Sequence, residues 1–484
     1  MLKQALNYTP DTSLLFEKIA HEEWAIFLDS GKPHGEYGRF DIIVARPVAT
    51  ISIRHHRAYV FKDDATTSFV ENNPFDLLQR IMQPYQFAAA EMIALQTTET
   101  GQSPITEIPF FGGAVGYVGY DIARYGHQLN DTAQDAADMP EMSIGIYDWA
   151  VVVDHREKTA WLVGYGLDER TEQAWESLHR LFNQPINPSL WANTPRKTPQ
   201  QLFKVAKTVR TNMDADEYAG KFNQIKQYIV EGDCYQVNLA QRFTVEAEGS
   251  AWVAYKKLRE ISPAPFMAFM NLPHCQVLSG SPERFLQVVN QHVETRPIKG
   301  TRPRSANATE DAANANELKN SIKDQAENLM IVDLLRNDIS KNCATGSVKA
   351  NQLFNLQSFA NVHHLVSTVT GTLAAGKTAI DLLAGCFPGG SITGAPKLRA
   401  MQIIEELEPH RRGLYCGAIG YIGFDGNMDT NIAIRTMVYA NNEVSFYAGG
   451  GIVADSELDR EYKETWDKAV SMLKLMQYFG ANID

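Results

Sequence analysis

From Trp24 to Val163 the chain is a succession of short runs rich in Val, Ile, Phe and Tyr, separated by turn clusters. Asp41-Ile-Ile-Val-Ala-Arg46, Ala49-Thr-Ile-Ser-Ile53 and Asp148-Trp-Ala-Val-Val-Val-Asp154 are examples, and they read as strands of a mainly antiparallel sheet. Between Phe110 and Tyr120 aromatics alternate with glycines, the mark of a strand packed closely against another backbone. Prolines then collect from Asn183 to Gln200 and polarity rises, which makes 183–213 a linker between an N-terminal region, 1–182, and a second region, 214–478.

Beyond the linker, strands alternate with helices. Asp214 is placed to cap a helix whose apolar face carries Tyr218, Phe222, Ile225 and Ile229. Strands are expected at Cys234–Phe243 and Phe266–Met270, and helices at about Glu317–Arg336, Lys397–Glu408 and Glu457–Tyr478. With 44% hydrophobic residues in 484, a sizeable core is available without disulfides. The five cysteines are scattered, odd in number and never in a CxxC pair, which disfavours a disulfide framework or zinc site and fits a reducing compartment. The formal charge of −12 without a basic face argues against nucleic acid or an anionic membrane as partner. The first residues lack the pattern of a signal peptide and no run is long enough to span a membrane, so a cytoplasmic location is expected.

The chemistry-bearing residue types concentrate in the second half. Asp324 and Glu327 stand one turn apart on a helix, and Glu461 and Glu464 repeat that spacing on another. Two such faces could hold one hard divalent cation, since magnesium takes oxygen ligands and keeps several waters. The plainer reading is two solvated faces, with Glu464 and Lys468 an ordinary i, i+4 pair. Glu283 follows a proline in Ser-Gly-Ser-Pro-Glu; a carboxyl kept partly dry there could act as a general acid. Lys299 sits between an isoleucine and a glycine with arginines on both sides, and desolvation plus neighbouring cations would free its amine as a nucleophile. A basic surface loop is the alternative. The glycine-rich Phe387–Lys397 loop, containing Ser391, and the Gly449-Gly450-Gly451 run offer backbone N–H groups for a carboxylate or phosphate, without Walker A spacing. Arg435 could bind a carboxylate through both nitrogens of its fork.

Taken together, GDCYQVNLAQRF, SPERF, ETRPIKGTRPR, KDQAENLMIVDLLRND, VHHLVSTV, FPGGSITGAPK, GAIGYIGF, NIAIRT and YAGGGIVADSELDREYKETWDKA resemble the chorismate-utilising enzymes. That family includes anthranilate synthase component I, aminodeoxychorismate synthase component I, and isochorismate and salicylate synthases. Isochorismate and salicylate synthases carry a water-activating lysine where this chain has Gln236, and anthranilate synthases typically read PIAGT where it has Pro297-Ile-Lys-Gly-Thr301. The PIKGT form resembles the aminodeoxychorismate branch, which supplies p-aminobenzoate for folate. The family fold so implied is α/β (α+β): two twisted, mostly antiparallel sheets packed face to face, helices outside, with both regions in one unit.

The resemblance implies a transferase that aminates chorismate. Magnesium would be held by Glu327 and Glu464, supported by Asp324 and Glu461. Gly300, Thr301, His364, Ser391, Tyr415, Arg435, Gly449, Gly450, Gly451 and Lys468 would position the substrate. Glu283 would protonate the departing hydroxyl and Lys299 would form a temporary bond to the ring. Ammonia would come from a separate glutamine amidotransferase subunit, because none of the five cysteines lies in a GxCxG-like elbow. Relatives also bind tryptophan, and the matching positions are Ser30, Tyr37, Gly38, Arg39, Phe40, Pro265, Phe266 and Met267; the segment Ser262-Pro-Ala-Pro-Phe-Met267 departs in part from the family's NPSPYM pattern, which leaves a structural or a regulatory role open. The rival readings are an anthranilate synthase and a non-catalytic scaffold that binds chorismate or tryptophan.

Overall fold

The structure, a computed structural model, describes residues 1–32, 38–100, 107–127, 129–185, 202–358 and 362–483. Among these residues the strands form one 13-stranded and one 12-stranded sheet, built from antiparallel ladders. The centre of the first sheet runs through Ala25–Asp29, Phe266–Leu272, Cys275–Ser281, Thr436–Ala440, Glu443–Ile452 and Gln236–Gly249. The second runs from Ile298–Pro303 through Val362–Thr372, His292–Thr295, Arg284–Val289, Met428–Ile432, Ala418–Gly423 and Gly113–Val118 to the strands of residues 49–70.

The sheets pack face to face because strand alternation gives each an apolar inner side. Ile26, Val44, Ala268 and Val277 of the first sheet share one buried cluster with Ile51, Val115, Ile144 and Leu286 of the second. On the first sheet's other side, Phe27, Phe243, Phe269 and Phe446 lie under Trp252 and Tyr255 of the helix Ala251–Ile261 and Met472 and Met476 of the helix Leu458–Tyr478. No helix among the described residues is long and apolar enough to cross a membrane.

Both sheets draw strands from both sides of the proline-rich stretch. Ala25–Asp29 pairs with Phe266–Leu272, and Gly113–Val118 pairs with Ala418–Gly423. Most of the expected linker, 186–201, lies outside the described residues; Phe203–Val205 and Arg210–Thr211, near its end, already pair with Gln236–Gly249. The composition shift therefore does not coincide with a boundary between sheets.

Local signals explain several elements. Asp214 and Glu217 form a capping box, each side chain accepting the other's backbone N–H at 2.8 and 2.9 Å, and Gly232 ends that helix in the left-handed region. The expected helix Glu317–Arg336 is instead two, Ala308–Asn320 and Ile322–Ser340, broken at Ser321, whose hydroxyl accepts the N–H of Asp324 and starts the second. A 27-residue helix, Pro74–Thr100, occupies part of the stretch read as strands. Leu77, Leu78 and Met82 are buried while Phe87 and Leu95 are exposed, so its apolar residues do not keep to one stripe.

The glycines of Gly113–Val118 permit close strand contact. A Cβ on Gly116 would lie 2.2 Å from the Ser143 carbonyl oxygen. Gly116→Val is expected to destabilise the fold by about 3 kcal/mol, the upper range for overpacking. Urea unfolding should show this as a lowered midpoint with an unchanged slope.

Candidate active site

Lys299 lies on Ile298–Pro303, an edge strand paired antiparallel to Val362–Thr372. The register slips between Lys299 and Thr301, where Gly300 takes a φ of +79°. A bulge of this kind re-aims the side chain beside it. Any Cβ on Gly300 would meet Leu318 at 2.8 Å and Asp324 at 3.0 Å, so the helix carrying Asp324 and Glu327 rests directly on the bulge. Thr301 and His364, opposite each other in the ladder, are joined by a 2.9 Å hydrogen bond. Burial, then Arg435, pushes His364 down to about 4, so its ring is neutral near pH 7.

Glu283 occupies the turn between Cys275–Ser281 and Arg284–Val289, its carbonyl accepting the N–H of Ile432 at 3.0 Å. Its carboxylate accepts the Ser391 hydroxyl at 3.3 Å, which ties it to the glycine-rich loop. Burial pushes this carboxyl above the usual range; Lys299, the Ser391 hydrogen bond, Lys468 and Arg435 oppose that rise. Arg435 has a left-handed φ of +50°, and its carbonyl accepts the N–H of Gly280. Burial lowers its guanidinium, with Glu283 the one charge opposing. Arg435 is half-buried with no ion pair among the described residues, a setting suited to an anion.

The second carboxylate pair arrives on Leu458–Tyr478. Glu461 accepts the Ser456 hydroxyl at 2.6 Å, and Glu464 pairs with Lys468 at 2.6 Å. Lys468 also donates to the Gly449 carbonyl at 2.9 Å. Glu461 Oε2 and Glu464 Oε1 converge over Gly450, 3.1 and 3.3 Å from where a Cβ would stand. Gly451 lies against Gln236, whose amide nitrogen would be 2.7 Å from a Cβ there.

These groups meet around Lys299. The residue is half-buried: burial pushes its amine below the ordinary lysine range, Lys468 adds to the effect, and Glu283, Glu327 and Glu464 resist it. Glu327 is raised by burial, with Lys299 and Lys323 pulling it back. Asp324 is held by Arg302 at 3.1 Å. Tyr415 is buried and stacks on Tyr447 with ring centres 5.4 Å apart. Ser456 and Arg302, which brace the carboxylates, carried no spacing signal in the sequence.

The carboxylates suit magnesium: hard oxygen donors from two helices, with no side chain between the Glu461–Glu464 pair and the backbone beneath it. A different set could also form a metal site, since ligand atoms of His55, Asp135 and Asp138 lie within 4.8 Å of one another. There the carboxylates already meet cations, Asp138 at Arg54 and Asp135 at Arg411.

Six of the eight positions matched to tryptophan binding line one cavity of about 810 Å³: Ser30, Arg39, Phe40, Pro265, Phe266 and Met267. Gly38 is buried beside them in sequence, and Tyr37 lies outside the described residues. The Ser30 hydroxyl is held by Asp41 at 2.7 Å, Arg39 by Asp154 at 2.7 Å, and the Arg284 guanidinium covers the Phe266 ring at 5.0 Å.

Residues 25–474 match the family described as chorismate binding enzyme. The chain is 43% identical over 462 residues to aminodeoxychorismate synthase component 1 of Escherichia coli (strain K12), covering 96% of this chain and 95% of that protein. It is 33% identical over 472 residues to anthranilate synthase component 1 of Acetivibrio thermocellus, covering 96% and 92%. The crystal structure of anthranilate synthase component I from Streptococcus pneumoniae TIGR4 superposes with a TM-score of 0.73 at 32% identity, over 90% of this chain and 92% of the other.

Lys468→Met removes a cation that depresses Lys299 and releases Glu464, which favours the charged amine. Both effects raise the Lys299 pKa. Labelling of Lys299 by an amine-specific reagent, followed by mass spectrometry against pH, should therefore need a higher pH in the variant than in the wild type.

Proposed function

The chain belongs to the chorismate-binding enzyme family, and within it we propose that it is an aminodeoxychorismate synthase, converting chorismate and ammonia to 4-amino-4-deoxychorismate and water. The observation that carries this reading is Lys299, a desolvated amine facing Glu283, at the position where anthranilate synthases typically have alanine. The higher identity to aminodeoxychorismate synthase component 1 than to anthranilate synthase component 1 points the same way.

The residues divide the work by charge. Arg435 and the backbone of Gly449–Gly451 bind and orient the anionic substrate, with Thr301, His364 and Tyr415 shaping its surroundings. Glu283, whose neutral form burial favours, gives its proton to the 4-hydroxyl, which leaves as water. As it leaves, the lone pair of Lys299 forms a bond to C2 and the ring π-electrons shift. Ammonia then adds at C4 and Lys299 departs with its bonding electrons, so the amine ends at C4. Glu327 and Glu464, with Asp324 and Glu461 through water, would hold magnesium, which when bound offsets the charge of the ring carboxylate.

Ammonia is supplied in this reading by a glutamine amidotransferase subunit. All five thiols of this chain are buried, and burial pushes each of them up, Cys343 to about 11 and Cys416 to about 12, so they are poor nucleophiles for glutamine hydrolysis. The free thiols fit a cytoplasmic location, and the product fits p-aminobenzoate and folate synthesis. We also assign the cavity at Ser30 and Phe266 to a tryptophan molecule, for which its volume, apolar walls and lining charges are suited.

Purified chain given chorismate, magnesium and ammonium should form a 4-amino product without pyruvate, read by liquid chromatography; fluorescent anthranilate with pyruvate would assign the rival activity. Lys299→Ala should lower 4-amination about 100-fold or more, the scale of losing an activated nucleophile. Full turnover in that variant would remove the nucleophile assignment.

A further inference from the structure

Tyr218 sits in the first turn of the helix Ala215–Glu231, fully buried among Phe222, Ile225, Leu239, Ile403 and Ile452. Its ring packs on Tyr462 with centres 5.1 Å apart, and Tyr462 lies between Glu461 and Glu464 on the final helix. Its hydroxyl has no hydrogen-bond partner among the described residues. A buried O–H without an acceptor destabilises a fold, and such groups are rare enough to need a reason.

The charges acting on that hydroxyl are Glu461, Glu464 and Glu408. Glu408 is already engaged, by Arg412 through both oxygens and by the Ala240 N–H. Glu464 is paired with Lys468. Glu461 has one oxygen on Ser456, while its Oε2 lies over Gly450 beside Glu464 Oε1. An unused donor thus packs on the helix turn that carries Glu461, a carboxylate with one oxygen unused among the described residues, at the edge of the pair assigned to the cation.

From this arrangement we infer that Tyr218 is a positioning residue, whose hydroxyl donates to Glu461 when a divalent cation is held at Glu327 and Glu464. The inference rests on the magnesium reading of those two residues.

The test is magnesium titration by calorimetry, with thermal unfolding in the absence of metal, on full-length wild type, Tyr218→Phe, Glu461→Gln and the double variant. Tyr218→Phe keeps the ring and removes only the unpaired hydroxyl. It should melt at or above the wild-type temperature without metal while magnesium affinity falls about tenfold, the lower end for losing a group that orients a ligand. In the Glu461→Gln background it should cause no further loss. Unchanged magnesium affinity in Tyr218→Phe, a lowered melting temperature with unchanged affinity, or additive losses in the double variant would each overturn the role. Wild type that takes up no magnesium would overturn both this inference and the metal assignment beneath it, whereas wild-type binding with an indifferent Tyr218→Phe overturns this inference alone.

Discussion

The whole site depends on two places where a helix lies against bare backbone. Gly300 lets the helix of Asp324 and Glu327 settle on the strand of Lys299, and Gly450 lets Glu461 and Glu464 reach over the strand Glu443–Ile452. A single methyl group at either position would stand about 3 Å from atoms of the opposing side chains. At Gly300 the Leu318 and Asp324 side chains would have to give way, and at Gly450 the two carboxylates would have to swing aside. Sheet pairing keeps both glycines in place: Gly300 at the slip in the Lys299 ladder, Gly450 directly opposite Leu239.

Around that framework, burial acts on opposite charges in opposite senses. It favours the neutral acid at Glu283 and the neutral amine at Lys299. The two shifts run toward each other, so burial brings a proton donor and an electron-pair donor closer to coexisting than an unperturbed carboxyl and lysine in water would be. Lys468 and Arg435 add positive charge to the same space and pull the Glu283 carboxyl partway back, against the larger effect of burial.

Much of the site was legible because it is written in local motifs. The i, i+3 carboxylates, the proline before Glu283 and the glycine after Lys299 are all short-range patterns, and the structure brings their side chains to one place. The capping box at Asp214 was legible for the same reason, as a contact between neighbours in sequence. The helix break at Ser321 was missed because helical periodicity runs across it, and only the serine hydroxyl bonding to the Asp324 N–H decides in favour of two helices. The long helix Pro74–Thr100 was missed because its apolar residues face several neighbours. Arg302, which reaches Asp324 from a neighbouring strand, and the sharing of both sheets between the two regions belong to pairing between distant segments, which no window of sequence displays.

That sharing has a consequence for biogenesis. The strand Gly113–Val118 finds one of its ladder partners only at Ala418–Gly423, some 300 residues downstream. At typical synthesis rates of ~5–20 residues per second, about 15–60 s separate the two as they leave the ribosome. During that interval the nascent amino-terminal half exposes strand edges and an apolar face whose mates have yet to be translated. Such a chain completes its architecture after release rather than region by region, and a chaperone that shields those edges would govern its yield.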